Sequence, residues 1–418
     1  MARLTTGVSV VRISRALGLF STFVLGAAAT IVVMTNQFGD LAHPSRFTMA
    51  LLIMILIHVP RYMRLWVSRE LALNLGFVSY AVLSLIWTTD MHQAMATFPS
   101  IVNFTLVLIL FSALVAYHNL RALLAGVFAG SLMSAALYTL ISGFPFSYPD
   151  DFSYNTIAGM YLLGLFMTAV FAAYVRWTLF PIAVGMVLLV LIAATTSIKT
   201  NLGTALGIAV ATLLYFKLSM RDVLRFVVLL VLLGGSIFYG EKFNPALSDR
   251  VHDGFERVSR GLAVLTHREG DSGATGLGNR QGWYREGLKG WAVSPVFGHG
   301  VEGFRADHGI TSHSTPIDLL YNSGLIGCGL FYGMFASIAW RLLRARDRRF
   351  RNVRARIAAC LVAYVFISLS GLIYYDPFIA IYIAVASGLL MRLEPAIERG
   401  THYEESGVGE AGRAASPA

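Results

Sequence analysis

Twelve stretches of this chain are nearly unbroken runs of apolar side chains, near residues 17–34, 47–59, 71–87, 100–117, 122–142, 156–175, 178–196, 202–216, 223–240, 317–340, 357–373 and 377–391. A helix needs about 20 apolar residues to cross a hydrocarbon layer of ~30 Å, and the shorter runs reach that length by extending into flanking polar residues. The run at 47–59 is the least distinct. A soluble chain of 418 residues could bury one or two large cores without such blocks, and its charged fraction would stand near ~25% rather than 13%. The expected fold is therefore all-α: a polytopic membrane protein with about twelve transmembrane helices. The first block follows Arg12 and Arg15 and contains Ala27-Ala28-Ala29, small residues of the kind found at signal-peptide cleavage sites. It is too long for a signal h-region and other spans follow it, so it reads as the first helix. The only cysteines, Cys328 and Cys360, both lie in apolar blocks, so no disulfide staples the polar segment.

The net charge of +10 does not point to nucleic acid, because its distribution follows the spans. If the N-terminus is cytoplasmic and the blocks alternate, 22 of the 33 Lys and Arg residues fall in cytoplasmic segments, including the cluster Arg341 to Arg356. The short loops opposite hold two, Arg46 and Lys199, and the long segment 241–315 holds the other nine. Long translocated loops stand outside the positive-inside rule, so both termini are expected in the cytoplasm. The resulting organisation is transmembrane helices 1–9 over residues 1–240, a periplasmic helical segment over 241–315, helices 10–12 over 316–392, and a disordered cytoplasmic tail over 393–418. Within the polar segment, Leu247, Val251, Phe255, Val258, Leu262 and Leu265 recur at helical spacing. After a Gly-rich break at 270–278, Asn279 can cap a second helix of about 280–291, with Arg280, Trp283, Tyr284 and Gly287 on one side.

Five features bear on chemistry. Gly298 to Gly303 matches GxGxxG literally, but no strand or βαβ unit surrounds it, so its glycines read as tight turns. Asp150 and Asp151 read either as a solvated turn or as a carboxylate pair; no His/Cys spacing supports a metal site, and neither metal nor cofactor is expected. Lys199, in Thr195-Thr196-Ser197-Ile198-Lys199-Thr200-Asn201, is either a cation snorkelling to headgroups or a phosphate ligand beside hydroxyls. Arg280 is either a surface arginine or, flanked by Trp283 and Tyr284, part of a face for a phosphate and a stacked sugar. His313 precedes Thr315, Pro316 and Asp318, which read as N-cap, N1 and N3 of a helix. The positive helix end would keep its ring neutral, as a general base requires, or the ring merely bonds the helix end.

The order Arg280, Trp283, Gly287, Pro295, Gly298, Gly300, Ser312-His313-Ser314, Leu319-Leu320, Gly324 and Gly327 resembles the signature of the O-antigen ligase and polymerase superfamily. Its specific part covers about 195–203 and 280–327. The resemblance implies a glycosyltransferase in the bacterial inner membrane with a periplasmic active site, of the helical-bundle lipid-linked class. The implied partners are an undecaprenyl-pyrophosphate-linked glycan donor, a lipid A–core oligosaccharide acceptor and membrane lipids. It also implies a metal-independent, inverting reaction, with Arg280 holding pyrophosphate and His313 activating the acceptor hydroxyl. Lys199 stands where many relatives carry arginine, so it keeps the charge but loses the bidentate fork. O-antigen ligation is the expected activity, with polymerisation or protein O-glycosylation as alternatives inside the family. A lipid-linked sugar transporter is the alternative outside it; transporters carry ionisable groups within their spans. Here Glu70, Asp222 and Asp376 fall at block edges or in loops.

Overall fold

The computed structural model describes residues 3–35, 49–55, 57, 68–142, 154–174, 179–195, 197–215, 277–344 and 351–392. The expected span at 223–240, the amphipathic repeat at 247–265, Asp150 and Asp151, and the tail past 396 lie outside them. Among the described residues all regular structure is helical. The helices are α1 (Arg3–Thr35), α2 (Arg69–Ser84), α3 (Met91–Tyr117), α4 (Leu120–Ser142), α5 (Tyr154–Ala172), α6 (Leu179–Ala194), α7 (Ile198–Tyr215), α8 (Leu277–Val293), α9 (Gly303–His308), α10 (Thr315–Arg344), α11 (Arg351–Ser368) and α12 (Pro377–Arg392). Four of them, α1, α3, α4 and α10, are long and apolar enough to cross a membrane, and α5, α6 and α12 are shorter apolar helices.

Small residues set the closest helix pairs. Gly126 and Gly130, one helical turn apart on α4, meet α1 so tightly that added Cβ atoms would lie 2.1 Å from the Phe23 carbonyl and 2.7 Å from that of Ala27. Gly203 and Gly207 do the same for α7 against α11, at 3.0 Å from the Ala363 carbonyl and 2.3 Å from that of Ala359. Both pairs have the spacing through which membrane helices bring their backbones together.

Arginines gather at one end of this bundle. Arg392 donates to the carbonyls of Ala116 and His118 at the end of α3, Arg354 to Leu342 on α10, and Arg356 to Ala169 on α5. Cations are favoured where carbonyls are left over at helix C-termini. At the same end Glu70, fully buried, accepts from Ser68, Ser337 and Ser387 and lies 3.5 Å from Arg341. This saturated cluster ties α2, α10 and α12 together. Glu70 stands at the edge of its apolar block, in the first turn of α2, and is buried there in the packed interior.

The expected continuous span at 317–340 is two helices joined at Gly324 (φ 60, ψ −160). The chain from α8 to α9 is spliced into the break. His299 and Gly300 donate their N–H groups to the carbonyls of Tyr321 and Asn322, and Leu325 and Ile326 donate to Pro295 and Val296. Two carbonyls before the break and two N–H groups after it are thereby matched, as a low-dielectric surrounding demands. Tyr80 and Thr88 fasten the inserted loop from α2 and the turn after it, through the carbonyls of Phe297 and Val301. The literal GxGxxG belongs to this splice. At Gly298 (φ 71) a side chain would strike the Asn322 backbone, and at Gly300 (φ 93) it would strike Thr88.

Candidate functional site

At the end of the bundle opposite the arginines lies a cavity of about 360 Å³, and Lys199 and His313 both line it. Lys199 stands in the first turn of α7, where its Nζ donates to the Ser370 carbonyl at 3.5 Å. It rests against Gly371, whose missing side chain makes the space: a Cβ there would sit 2.3 Å from Nζ. Asp376, from the turn between α11 and α12, shares the cavity, as do Thr200, Thr311, Tyr364 and Tyr375. Burial pushes the Asp376 carboxyl up to about 6, although the Phe378 N–H and the charge of Lys199 act the other way.

His313 is exposed and has a left-handed backbone (φ 55), a conformation uncommon for a residue with a Cβ and often retained at functional sites. Buried contacts on either side hold it there. Thr315 donates from both its N–H (3.1 Å) and its hydroxyl (2.6 Å) to the Gly371 carbonyl, and its hydroxyl accepts from the Ile373 N–H. Asp318 gathers the Ser312 hydroxyl, the Asn322 amide and the Tyr374 hydroxyl at 2.8–2.9 Å. The loop that carries His313 and the loop that carries Gly371 and Asp376 are therefore latched to each other twice. These contacts also correct the expected cap. The first intrahelical bond runs from Asp318 N–H to the Ser314 carbonyl, so Ser314 flanks the helix and Thr315 lies inside it. The Thr315 hydroxyl bonds the opposite loop, and the Asp318 carboxylate is shared among Ser312 before the helix, Asn322 on it and Tyr374 of the opposite loop.

Helix α8 roofs this arrangement. Gly287 and Gly290 let it settle on Ile317 and Tyr321 of α10, where Cβ atoms would come within 2.4 and 2.0 Å. Trp283 lies against His313 with ring centroids 5.3 Å apart, and Tyr284 donates to the Leu369 carbonyl at 3.3 Å. Of the four residues expected on one side of this helix, Trp283, Tyr284 and Gly287 thus face one region. Arg280 sits in the first turn, one turn before Tyr284, and only its backbone is among the described positions. Because the helix starts at Leu277, Asn279 lies inside it and does not cap it. Near the splice, burial and the neighbouring Asp318 push the Glu302 carboxyl up to about 7, against the opposing effects of Thr97 and Arg305.

Asp376 was named from sequence only as an acidic residue outside the spans, and Tyr364 not at all. An acidic residue directly before a proline that opens an apolar block was the available signal for the first; nothing local marked the second. No family model matches the chain, and no curated protein matches it at a significant level.

Proposed function

We propose that the chain is an O-antigen ligase of the O-antigen ligase and polymerase superfamily, a metal-independent inverting glycosyltransferase of the bacterial inner membrane. In this reading twelve spans place both termini in the cytoplasm, and the cavity opens to the periplasm. The donor is a glycan on undecaprenyl pyrophosphate and the acceptor is a hydroxyl of the lipid A–core oligosaccharide. The reading is supported above all by one observation: Lys199 and His313, far apart in sequence, line the same cavity. A fixed cation and an imidazole at one cavity are what a pyrophosphate leaving group and a hydroxyl nucleophile require.

His313 takes the acceptor hydroxyl proton as that oxygen attacks the anomeric carbon. The glycosidic carbon–oxygen bond breaks on the opposite side, and the pyrophosphate leaves with the electron pair. Lys199 and Arg280 hold the charge that develops on it. Arg280 is a permanent cation that binds and stabilises but cannot serve as base near neutral pH. Measuring donor binding beside single-turnover transfer separates the two roles. His313→Ala should bind donor normally and transfer about 10²–10⁴-fold more slowly. Arg280→Ala should lose both binding and rate. Wild-type transfer by His313→Ala, or equal loss of donor binding in both variants, would refute the assignment. Surface polysaccharide from a deletion strain separates ligation (core without O-chain) from polymerisation (core plus one unit) and protein glycosylation (altered glycoproteins).

A further inference from the structure

The side chain that lies over His313 has a part in the chemistry that the transfer step leaves open. Trp283 was expected on a face for a stacked sugar, yet its indole rests against the His313 imidazole, with ring centroids 5.3 Å apart and planes inclined by 38°. Trp283 is half-buried and His313 is exposed, so the indole shields part of the imidazole while the cavity and solvent reach the rest. The indole is firmly placed. Gly287, one turn further along α8, seats the helix on Ile317, Gly290 seats it on Tyr321, and the Tyr284 hydroxyl ties it to the Leu369 carbonyl. On the other side, His313 stands between buried Ser312 and Ser314, and the Ser312 hydroxyl is bonded to Asp318. Two separately anchored segments thus present these rings to each other.

What the contact does follows from the charge that His313 acquires. When the imidazole takes a proton from an acceptor hydroxyl, the ring becomes a cation. The face of an indole attracts a cation placed within about 6 Å of its centroid. Other groups act in both directions. Lys199 of α7 and the N-terminus of α10 disfavour the imidazolium, and an ionised Asp376 favours it. Tyr364 and Tyr375 line the same cavity, and Arg280 stands on α8 one turn before the indole. Against Lys199 and the helix end, the indole and Asp376 are the groups that make protonation of the ring attainable.

We propose that Trp283 is a positioning residue for His313, presenting the imidazole to the cavity and stabilising the positive charge that the ring gains on taking up a proton. This role rests on the reading of His313 as the base of glycan transfer. Its sign separates it from simple packing. An apolar lid disfavours an ion by excluding water, so its removal would raise the proton affinity of the ring, whereas removal of an attracting π-face lowers it.

The test reads His313 protonation in the purified full chain in detergent. Diethyl pyrocarbonate modifies the neutral imidazole, so the modification rate of the peptide carrying His313, followed by mass spectrometry against pH, gives the midpoint of its titration. Trp283→Leu should lower the proton affinity of the ring about 2- to 5-fold, the worth of one exposed cation–π contact, with Trp283→Phe between it and the wild type. Both variants should bind undecaprenyl pyrophosphate bearing one N-acetylglucosamine as the wild type does. Single-turnover transfer should fall at least about twofold in the leucine variant and recover in part in the phenylalanine variant. If the leucine variant does not fold, the phenylalanine variant decides, by a smaller shift in the same direction. An unchanged or raised midpoint in a folded variant overturns the role and leaves Trp283 as packing. Weaker lipid binding at an unchanged midpoint also overturns it and makes the indole a sugar platform. A lowered midpoint in a protein whose wild type transfers no glycan upholds the contact and overturns the transfer reading.

Discussion

Replacing Gly371 with alanine should move the Lys199 charge without removing it. The new Cβ would lie 2.3 Å from Nζ and 3.3 Å from Cε, whereas ordinary contact begins at 3.4 Å. The ammonium must therefore retreat by about 1.1 Å, and its approach to the Ser370 carbonyl is lost. Gly371 is not among the glycines of positive φ, so alanine fits its backbone. The displaced atoms are the far end of a flexible side chain, and removing glycine from the unfolded chain stabilises by about 0.4–1 kcal/mol, so the melting temperature should hold or rise. At an effective dielectric of about 20, an ammonium about 4 Å from a unit negative charge contributes ~4 kcal/mol, and about 1.1 Å more separation removes roughly 0.9 kcal/mol of it. That corresponds to about a fivefold weaker hold per unit charge, and more for a pyrophosphate. The assay is donor binding by Gly371→Ala beside Lys199→Ala, with thermal melts of both. Lys199→Ala should lose most transfer, and Lys199→Arg should recover part of it, since a guanidinium crowds the Gly371 seat. Unchanged donor affinity in a folded Gly371→Ala protein would refute the reasoning and return Lys199 to a snorkelling cation.

Three further outcomes are expected. Glu302 has a carboxyl pushed up to about 7 from an ordinary 4.5, so the fold favours its protonated form and loses stability as pH rises from below 4.5 through 7. Glu302→Gln should therefore melt like wild type near pH 4.5 and higher at pH 8, by up to about 3 kcal/mol; parallel melting curves at both pH values would discard the shift. Glu70→Ala strands Arg341 beside three serine hydroxyls and should cost about 3–5 kcal/mol of stability, with Glu70→Gln costing less; a wild-type melt for Glu70→Ala would remove the clamp from the account. A reporter active only in the periplasm should be active when fused after Gly270 and silent after Arg346, and the reverse pattern would place the cavity on the wrong side of the membrane.

What sequence conveyed about this molecule divides by the range of the interactions involved. Helices and the basic end were legible because apolar length and arginine position are local properties, and the arginines then satisfy carbonyls at nearby helix ends. The surroundings of His313 were legible because Ser, Thr and Pro before an apolar run announce a helix start within a few residues. The spacing of Trp283, Tyr284 and Gly287 likewise defined one face of a helix. The paired glycines of α4 and α7 were readable signals that the apolar count obscured. Gly324 was not readable as a break, because the apolar pattern runs straight through it and the groups that satisfy the broken backbone come from 295–300. Asp318 looked like a cap for the same reason: its true partners, Ser312 and Tyr374, belong to two loops that only folding brings together. The cavity is the extreme case. Lys199, His313, Tyr364 and Asp376 come from four separate segments, and only tertiary packing brings them to one cavity. Single positions suited to phosphate or base chemistry could be found one at a time. Their joint chemistry arises from the Thr315–Gly371 and Asp318–Tyr374 latches, so loosening either latch should affect every group in the cavity at once.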